Sequence, residues 1–341
     1  MSAKLAYLDR WIDQRDRALG AVIERARQTD AYTPGVADLI SGYSGENSLA
    51  GLEAAIRRIS GQEGGIFGVG EGEPQIVIRG RTAFIDGHPP TAAGQPQARL
   101  FGSRNAGKAL LVVPHWNARI DAYVPLCTVC ALAGFLVALV VPPFHGERRY
   151  DARLVANEYV SANLGRTVAA VRMTVQEVRQ FARWLAAGST RRVTAFGASL
   201  GSCIAGIAAA VEPAIRSAVL VVTGGDFAYA VWNGAATSHI REALEGRITF
   251  QQLQSAWNVL ALNTYVPEFA ASGIPMLVVS ARQDRIVLPE NASDFVGRVR
   301  LAGRNSIQHV TLRCGHYTAG TFPFNIFVIA RLIGFIRREH P

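Results

Sequence analysis

Residues 192–211 read RVTAFGASLGSCIAGIAAAV, and two changes of character within that stretch decide the fold. RVTAFG (192–197) is a short run of strand formers, and SLGSCIAGIAAAV (199–211) is a run of small residues suited to a closely packed helix. Between them lies Gly197-Ala198-Ser199-Leu200-Gly201, a GxSxG. A strand that passes into a helix through one tight turn pushes the intervening serine out from the sheet edge. Glycines on either side leave space where any side chain would collide. The backbone N–H groups that follow open a helix, whose positive end suits a developing negative charge. GxSxG occurs in many unrelated chains; the strand–turn–helix setting gives it weight here.

Working outward from Ser199, the chain repeats one pattern of strand, loop and helix. ALLVV (109–113) precedes a helix reaching about Ala133, and FLVALVV (135–141) precedes a loop and a long helix, Thr167 to Ala187. SAVLVV (217–222), MLVVS (276–280) and IQHVTL (307–312) read as further buried strands, and Phe324 to Arg337 as a closing helix. Short apolar strands alternating with helices predict a mostly parallel sheet covered on both faces, an α/β doubly wound domain. The uncharged stretch 122–144 is long enough on paper to cross a bilayer. It contains Pro125, Gly134, Pro142 and Pro143 and changes from helical to strand character at Gly134, so it reads as a buried helix and strand, with no membrane partner.

The first 104 residues differ. Leu5 to Arg27 has helical apolar spacing through Leu5, Leu8, Trp11, Ile12, Leu19 and Ile23, and a second helix is expected near Leu49–Ile59. PQIVIRG and TAFIDG, joined at Gly80-Arg81, read as a hairpin. The Gly-rich stretch 61–72 lacks the Lys-Ser/Thr of a phosphate loop and reads as a connector. The domain reading is therefore an extension over 1–104, packed on the sheet or continuing it, and a catalytic domain over 105–341. Residues 227–270, inserted between two strands, are expected to form a helical cap. The extension has a homodimer contact among its expected uses.

Composition narrows the function classes. The chain has 341 residues with a formal net charge of +9, but its basic residues come as scattered pairs with no interleaved aromatics, which excludes a readable nucleic-acid module. Four cysteines are too few for a disulfide framework, and Cys127 and Cys130 sit in an apolar run without redox context. No apolar leader opens the sequence, so a cytoplasmic location is expected. No metal cluster with credible ligand spacing is present.

A serine hydroxyl needs a base to take its proton. His316, in Arg313-Cys314-Gly315-His316-Tyr317 after the last strand, occupies the expected place, and Asp284, just past MLVVS, is the expected orienting acid. Asp226, after SAVLVV, is the competing acid. Acyl transfer also needs two N–H donors for the tetrahedral oxygen. Leu200 supplies one; the loop Pro114-His115-Trp116-Asn117 supplies the other from either Trp116 or Asn117. His115, His145, Trp232 and Tyr317 are expected to line the substrate pocket.

In order, PHWN, GASLG, Asp284 and Gly315-His316 make residues ~105–338 resemble the α/β-hydrolase superfamily. The loop Pro143-Phe144-His145-Gly146-Glu147-Arg148-Arg149 is similar to the P-x-H-G-x-R loop of the dienelactone hydrolase and acetyl xylan esterase groups. The resemblance implies hydrolysis of a carboxylic ester of a small or medium molecule without a cofactor. Amide cleavage or acyl transfer by the same residues and a non-catalytic binding role are the alternatives. Trp116 departs from the family pattern where a glycine is expected, and the first ~100 residues lie outside the resemblance.

Overall fold

The computed structural model describes residues 2–24, 31–43, 45–70, 72–87, 94–148, 158–187, 191–303 and 306–340. Arg27, His88 and Arg149 lie outside the described residues, and so does residue 71 of the Gly-rich connector. Among the described residues nine strands form one sheet: β1 Ile76–Arg79, β2 Thr82–Ile85, β3 Gln97–Phe101, β4 Lys108–Val113, β5 Leu136–Val141, β6 Arg192–Ala198, β7 Ile215–Val221, β8 Met276–Ala281 and β9 Ile307–Leu312. Their order is β1-β2-β3-β5-β4-β6-β7-β8-β9. β4 to β9 run parallel, while β3 pairs antiparallel with both β2 and β5. The sheet is thus continuous across the 104/105 boundary, since β3 makes five residue pairs with β5 from Gln97↔Val141 to Phe101↔Val137.

Strand β5 is LVALVV, buried at every position, which is what a strand covered on both faces requires. Neighbouring residues divide between the two faces as the pleat dictates. Along β4, Ala109, Leu111 and Val113 enter one core while Leu110 and Val112 enter the other; along β7, Ala218 and Leu220 oppose Val219 and Val221.

The helices, in chain order, are α1 Ser2–Glu24, α2 Val36–Leu39, α3 Leu49–Ser60, α4 Val124–Leu132, α5 Leu164–Ala186, α6 Leu200–Val211, α7 Phe227–Asn233, α8 Ser238–Leu244, α9 Phe250–Ala256, α10 Val266–Ser272, α11 Pro289–Leu301 and α12 Phe324–Glu339. α2, α3, α5, α6 and α11 cover one face of the sheet, joined by α7 to α10; α4 and α12 cover the other. The expected cap region is therefore helical, and its Phe227, Leu253, Trp257, Leu260 and Leu262 belong to the same buried cluster as the sheet. Among the described residues no helix is long and apolar enough to cross a membrane; the stretch 122–144 contains α4 and β5.

Two features depart from the sequence expectations. β3 carries Gln97, which is buried, and Arg99, which is half-buried, and the polarity of both hides the strand. α1 turns Leu8 and Trp11 outward, at 40% and 38% exposure, and buries Ile12 and Asp16 instead.

Candidate active site

The strand order reverses direction between β4 and β6, and the crevice beyond the carboxyl ends of the strands at such a point is where open α/β sheets bind ligands. Ser199 stands there, between the end of β6 and the start of α6, with φ 53° and ψ −124°. A left-handed serine costs of order 1–3 kcal/mol and persists only when its surroundings hold it. They do so closely. The Ser199 N–H donates to the Val221 carbonyl at 2.9 Å and the Ser202 N–H donates to the Ser199 carbonyl at 2.8 Å. A Cβ on Gly197 would lie 2.1 Å from the Gly201 carbonyl oxygen, and one on Gly201 would lie 2.2 Å from the Val113 carbonyl oxygen. Both glycines of the GxSxG are required by backbone touching backbone.

Two other turns reach Ser199. Ser199 Oγ lies 3.0 Å from Nε2 of His316, on the turn after β9, and Nδ1 of that ring lies 2.8 Å from Asp284 Oδ2, on the turn after β8. Asp284 is 4% exposed, and its Oδ1 accepts the backbone N–H groups of Ile286 (2.8 Å) and Val287 (2.9 Å). An ionised carboxylate only accepts, so His316 carries its proton on Nδ1, and Nε2 is left to accept the serine hydroxyl. Asp226 has a different place. It caps α7 by accepting the Tyr229 N–H at 2.9 Å and also takes the Gln254 amide. The position beside His316 belongs to Asp284, which corrects the alternative acid.

The loop after β4 is fixed from behind. His145 is 1% exposed; its Nδ1 is 2.7 Å from the Pro143 carbonyl and its Nε2 accepts the Asn117 N–H at 2.9 Å. A carbonyl can only accept and a backbone N–H can only donate, so this imidazole is neutral with its proton on Nδ1. The Asn117 N–H is consumed by that bond, which removes it from the two candidate oxyanion donors and leaves Trp116. The Leu200 N–H stands in the first turn of α6, where backbone donors have no intrahelical acceptor.

His115, Trp116, Leu200 and Tyr317 line a cavity of about 370 Å³ around Ser199 and His316, together with Leu126, Phe227, Val231, Ile286 and Val328. Two expected pocket residues do not reach it. His145 is spent on holding Asn117, and Trp232 packs its ring 6.0 Å from that of Phe250. The apolar wall residues went unread because they come from separate segments that carry no motif. His115 is enclosed at the wall, and burial, helped by the nearby His316 and His145, lowers its pKa to about 4. Its backbone N–H donates to the Tyr123 hydroxyl at 3.0 Å, and that oxygen lies 2.7 Å from its Nδ1. The Trp116 ring stacks on His239 of α8, centroids 6.4 Å apart at 13°.

A parallel sheet reversing at β4, one antiparallel strand next to it, and a serine elbow after β6 define the α/β-hydrolase fold. Solved structures of that fold match the chain at low identity. An acylaminoacyl peptidase of Pyrococcus horikoshii has a TM-score of 0.55 at 11% identity, over 78% of this chain and 41% of the peptidase, so the chain spans under half of that protein. A Thermus thermophilus protein has a TM-score of 0.55 at 17% identity, over 77% of this chain and 98% of its own. A cold-adapted esterase from an Arctic intertidal metagenomic library has a TM-score of 0.50 at 10% identity, over 78% and 97%. No protein-family model matches the sequence, and no curated protein matches it.

Proposed function

We propose that this chain is a serine hydrolase that cleaves a carboxylic ester of a small or medium molecule through an acyl-enzyme. The line Asp284–His316–Ser199, with contacts of 2.8 and 3.0 Å, carries the proposal. Ser199 Oγ attacks the ester carbonyl while His316 Nε2 takes its proton. The oxyanion is met by the Leu200 and Trp116 N–H groups, and Asp284 steadies the imidazolium. Collapse breaks the bond to the alcohol oxygen, which leaves with the proton from His316. Water then enters, gives a proton to His316 and attacks the acyl carbon; the acid leaves and the proton returns to Ser199. The chemistry needs no cofactor.

The cavity of about 370 Å³ sits at the lower end of the range for small-molecule sites, and its apolar walls favour a short or medium acyl or alcohol group. The test is hydrolysis of p-nitrophenyl esters from acetate to decanoate by wild type and Ser199→Ala, with fluorophosphonate labelling of both. Turnover and labelling that vanish together in the variant, with an optimum at short or medium chain length, are expected. A wild type that neither turns over nor labels would sink the reading.

A further inference from the structure

Helix α1 meets the rest of the chain with carboxylates. Asp9, Asp13 and Asp16 stand at i, i+4 and i+7, one face of a helix, around the fully buried Ile12. Asp9 grips Arg313 with two bonds, Nε to Oδ1 at 2.8 Å and Nη2 to Oδ2 at 2.6 Å, and its Oδ1 also accepts Gln283 Nε2 at 2.7 Å. Asp13 lies 3.6 Å from Arg285. Asp16, 5% exposed, accepts the Thr318 backbone N–H at 2.8 Å and the Thr318 hydroxyl at 3.1 Å; that hydroxyl in turn accepts the Gly315 N–H at 2.8 Å. The Gly315 backbone rests on the same carboxylate, where a Cβ would come within 2.3 Å of Asp16 Cγ.

These contacts land on two turns only. Gln283 and Arg285 flank Asp284, while Arg313, Gly315 and Thr318 flank His316. Backbone bonds from Arg282 to Leu312 (2.8 Å) and from Gln283 to Cys314 (2.9 Å) join the roots of the turns, and α1 reaches the residues on either side of the acid and the imidazole. None of the three aspartates lines the cavity. A serine–imidazole pair tolerates little misplacement, and an error near 1 Å costs about a hundredfold in rate.

We propose that α1 positions the acid–base pair, with Asp16 as the main anchor and Asp9 as the second, so that this helix sets the distance from His316 to Ser199. Asp16 and Asp9 act through His316 and Asp284 and touch no substrate. The proposal rests on the reading of Ser199, His316 and Asp284 given above.

The experiment uses the full chain, with Asp16→Ala, Asp16→Asn and Asp9→Ala. It measures kcat and KM on p-nitrophenyl esters, the fluorophosphonate labelling rate, and the downfield proton NMR signal of His316 Nδ1–H. Asp16→Ala is expected to lower kcat about 10- to 100-fold with KM within about threefold, to slow labelling in parallel and to shift or broaden the signal. Asp16→Asn keeps an oxygen for the Thr318 N–H and should recover most of the loss. A folded Asp16→Ala with kcat and labelling within about twofold of wild type and an unchanged signal overturns the proposal, as does an Asn variant no better than Ala. Should Asp16→Ala fail to fold, Asp9→Ala decides: a kcat lowered about threefold or more with a shifted signal supports the clamp, and wild-type behaviour overturns it. Wild type that neither labels nor turns over sinks the hydrolase reading instead, and the His316 signal in the Asp16 variants then tests the clamp alone.

Discussion

The backbone N–H of Asn117 ends on Nε2 of His145, 2.9 Å away, so the loop after β4 hangs from the loop after β5. His145 has no reach to the cavity, yet it fixes the turn that carries Trp116, the oxyanion donor of the proposed mechanism. His145→Leu should therefore lower kcat by about tenfold or more while KM changes less, because a shifted oxyanion donor is felt mainly in the transition state. Steady-state kinetics on the best p-nitrophenyl ester checks this. Equal losses in 1/KM with kcat intact would show that the loop serves binding only.

His115 gives the protein a pH signature. Its folded pKa of about 4 lies below the ordinary 6.5, so the unfolded state binds the extra proton between those values. Stability is full above pH 6.5 and falls as the pH drops toward 4, by at most about 3 kcal/mol from this group. Burial lowers His309 and His340 as well, so part of the acid sensitivity belongs to them. Urea melts of wild type and His115→Gln from pH 4 to 7 should show a shallower slope in the variant; identical slopes would contradict the assignment.

Gly201→Ala tests the elbow by steric means. The new Cβ would meet the Val113 carbonyl at 2.2 Å and the Pro114 carbonyl oxygen at 2.5 Å, both backbone atoms that move only with β4 and its loop. A loss of about 3 kcal/mol or more in unfolding free energy is expected, together with loss of fluorophosphonate labelling. Full labelling with an unchanged denaturation midpoint would mean that α6 can slide.

Arg148 and Glu177 form a buried pair, 1% and 2% exposed, joined at 2.6 and 2.8 Å, with the Val141 carbonyl also accepting from Arg148 at 2.9 Å. Removing one partner strands a charge, and Arg148→Met should destabilise by about 3–5 kcal/mol. The double variant Arg148→Met/Glu177→Leu should lose clearly less than the two single losses added together. Additive losses in chemical denaturation would show that the pair is not coupled.

Much of the site was legible because it depends on residue type at strand ends. A GxSxG between strand and helix, an acid after one strand and a histidine after the last are local patterns, and the structure brings Ser199, Asp284 and His316 together. The choice between Asp226 and Asp284 was not local: both follow strands, and only three-dimensional placement sends one to His316 and the other to cap α7. His145 misled because a histidine in a loop after a strand suits a pocket and an internal brace equally well. Helix α11 went unread between β8 and β9, since PENASDFVGRVRL mixes charges into its apolar spacing. The role of α1 was hidden for the opposite reason. Its apolar spacing marked a helix and drew the eye to Leu8 and Trp11, while the surface it meets offers Arg313, Gln283 and the Thr318 N–H, which call for carboxylates.

The helices between β7 and β8 share their buried cluster with the sheet itself. Lifting them away would return Leu253, Trp257, Leu260 and Leu262 to water, at a cost of order 10 kcal/mol for these four side chains. This wall is masonry and not a door: the insertion between β7 and β8 is laid into the footing of the sheet itself.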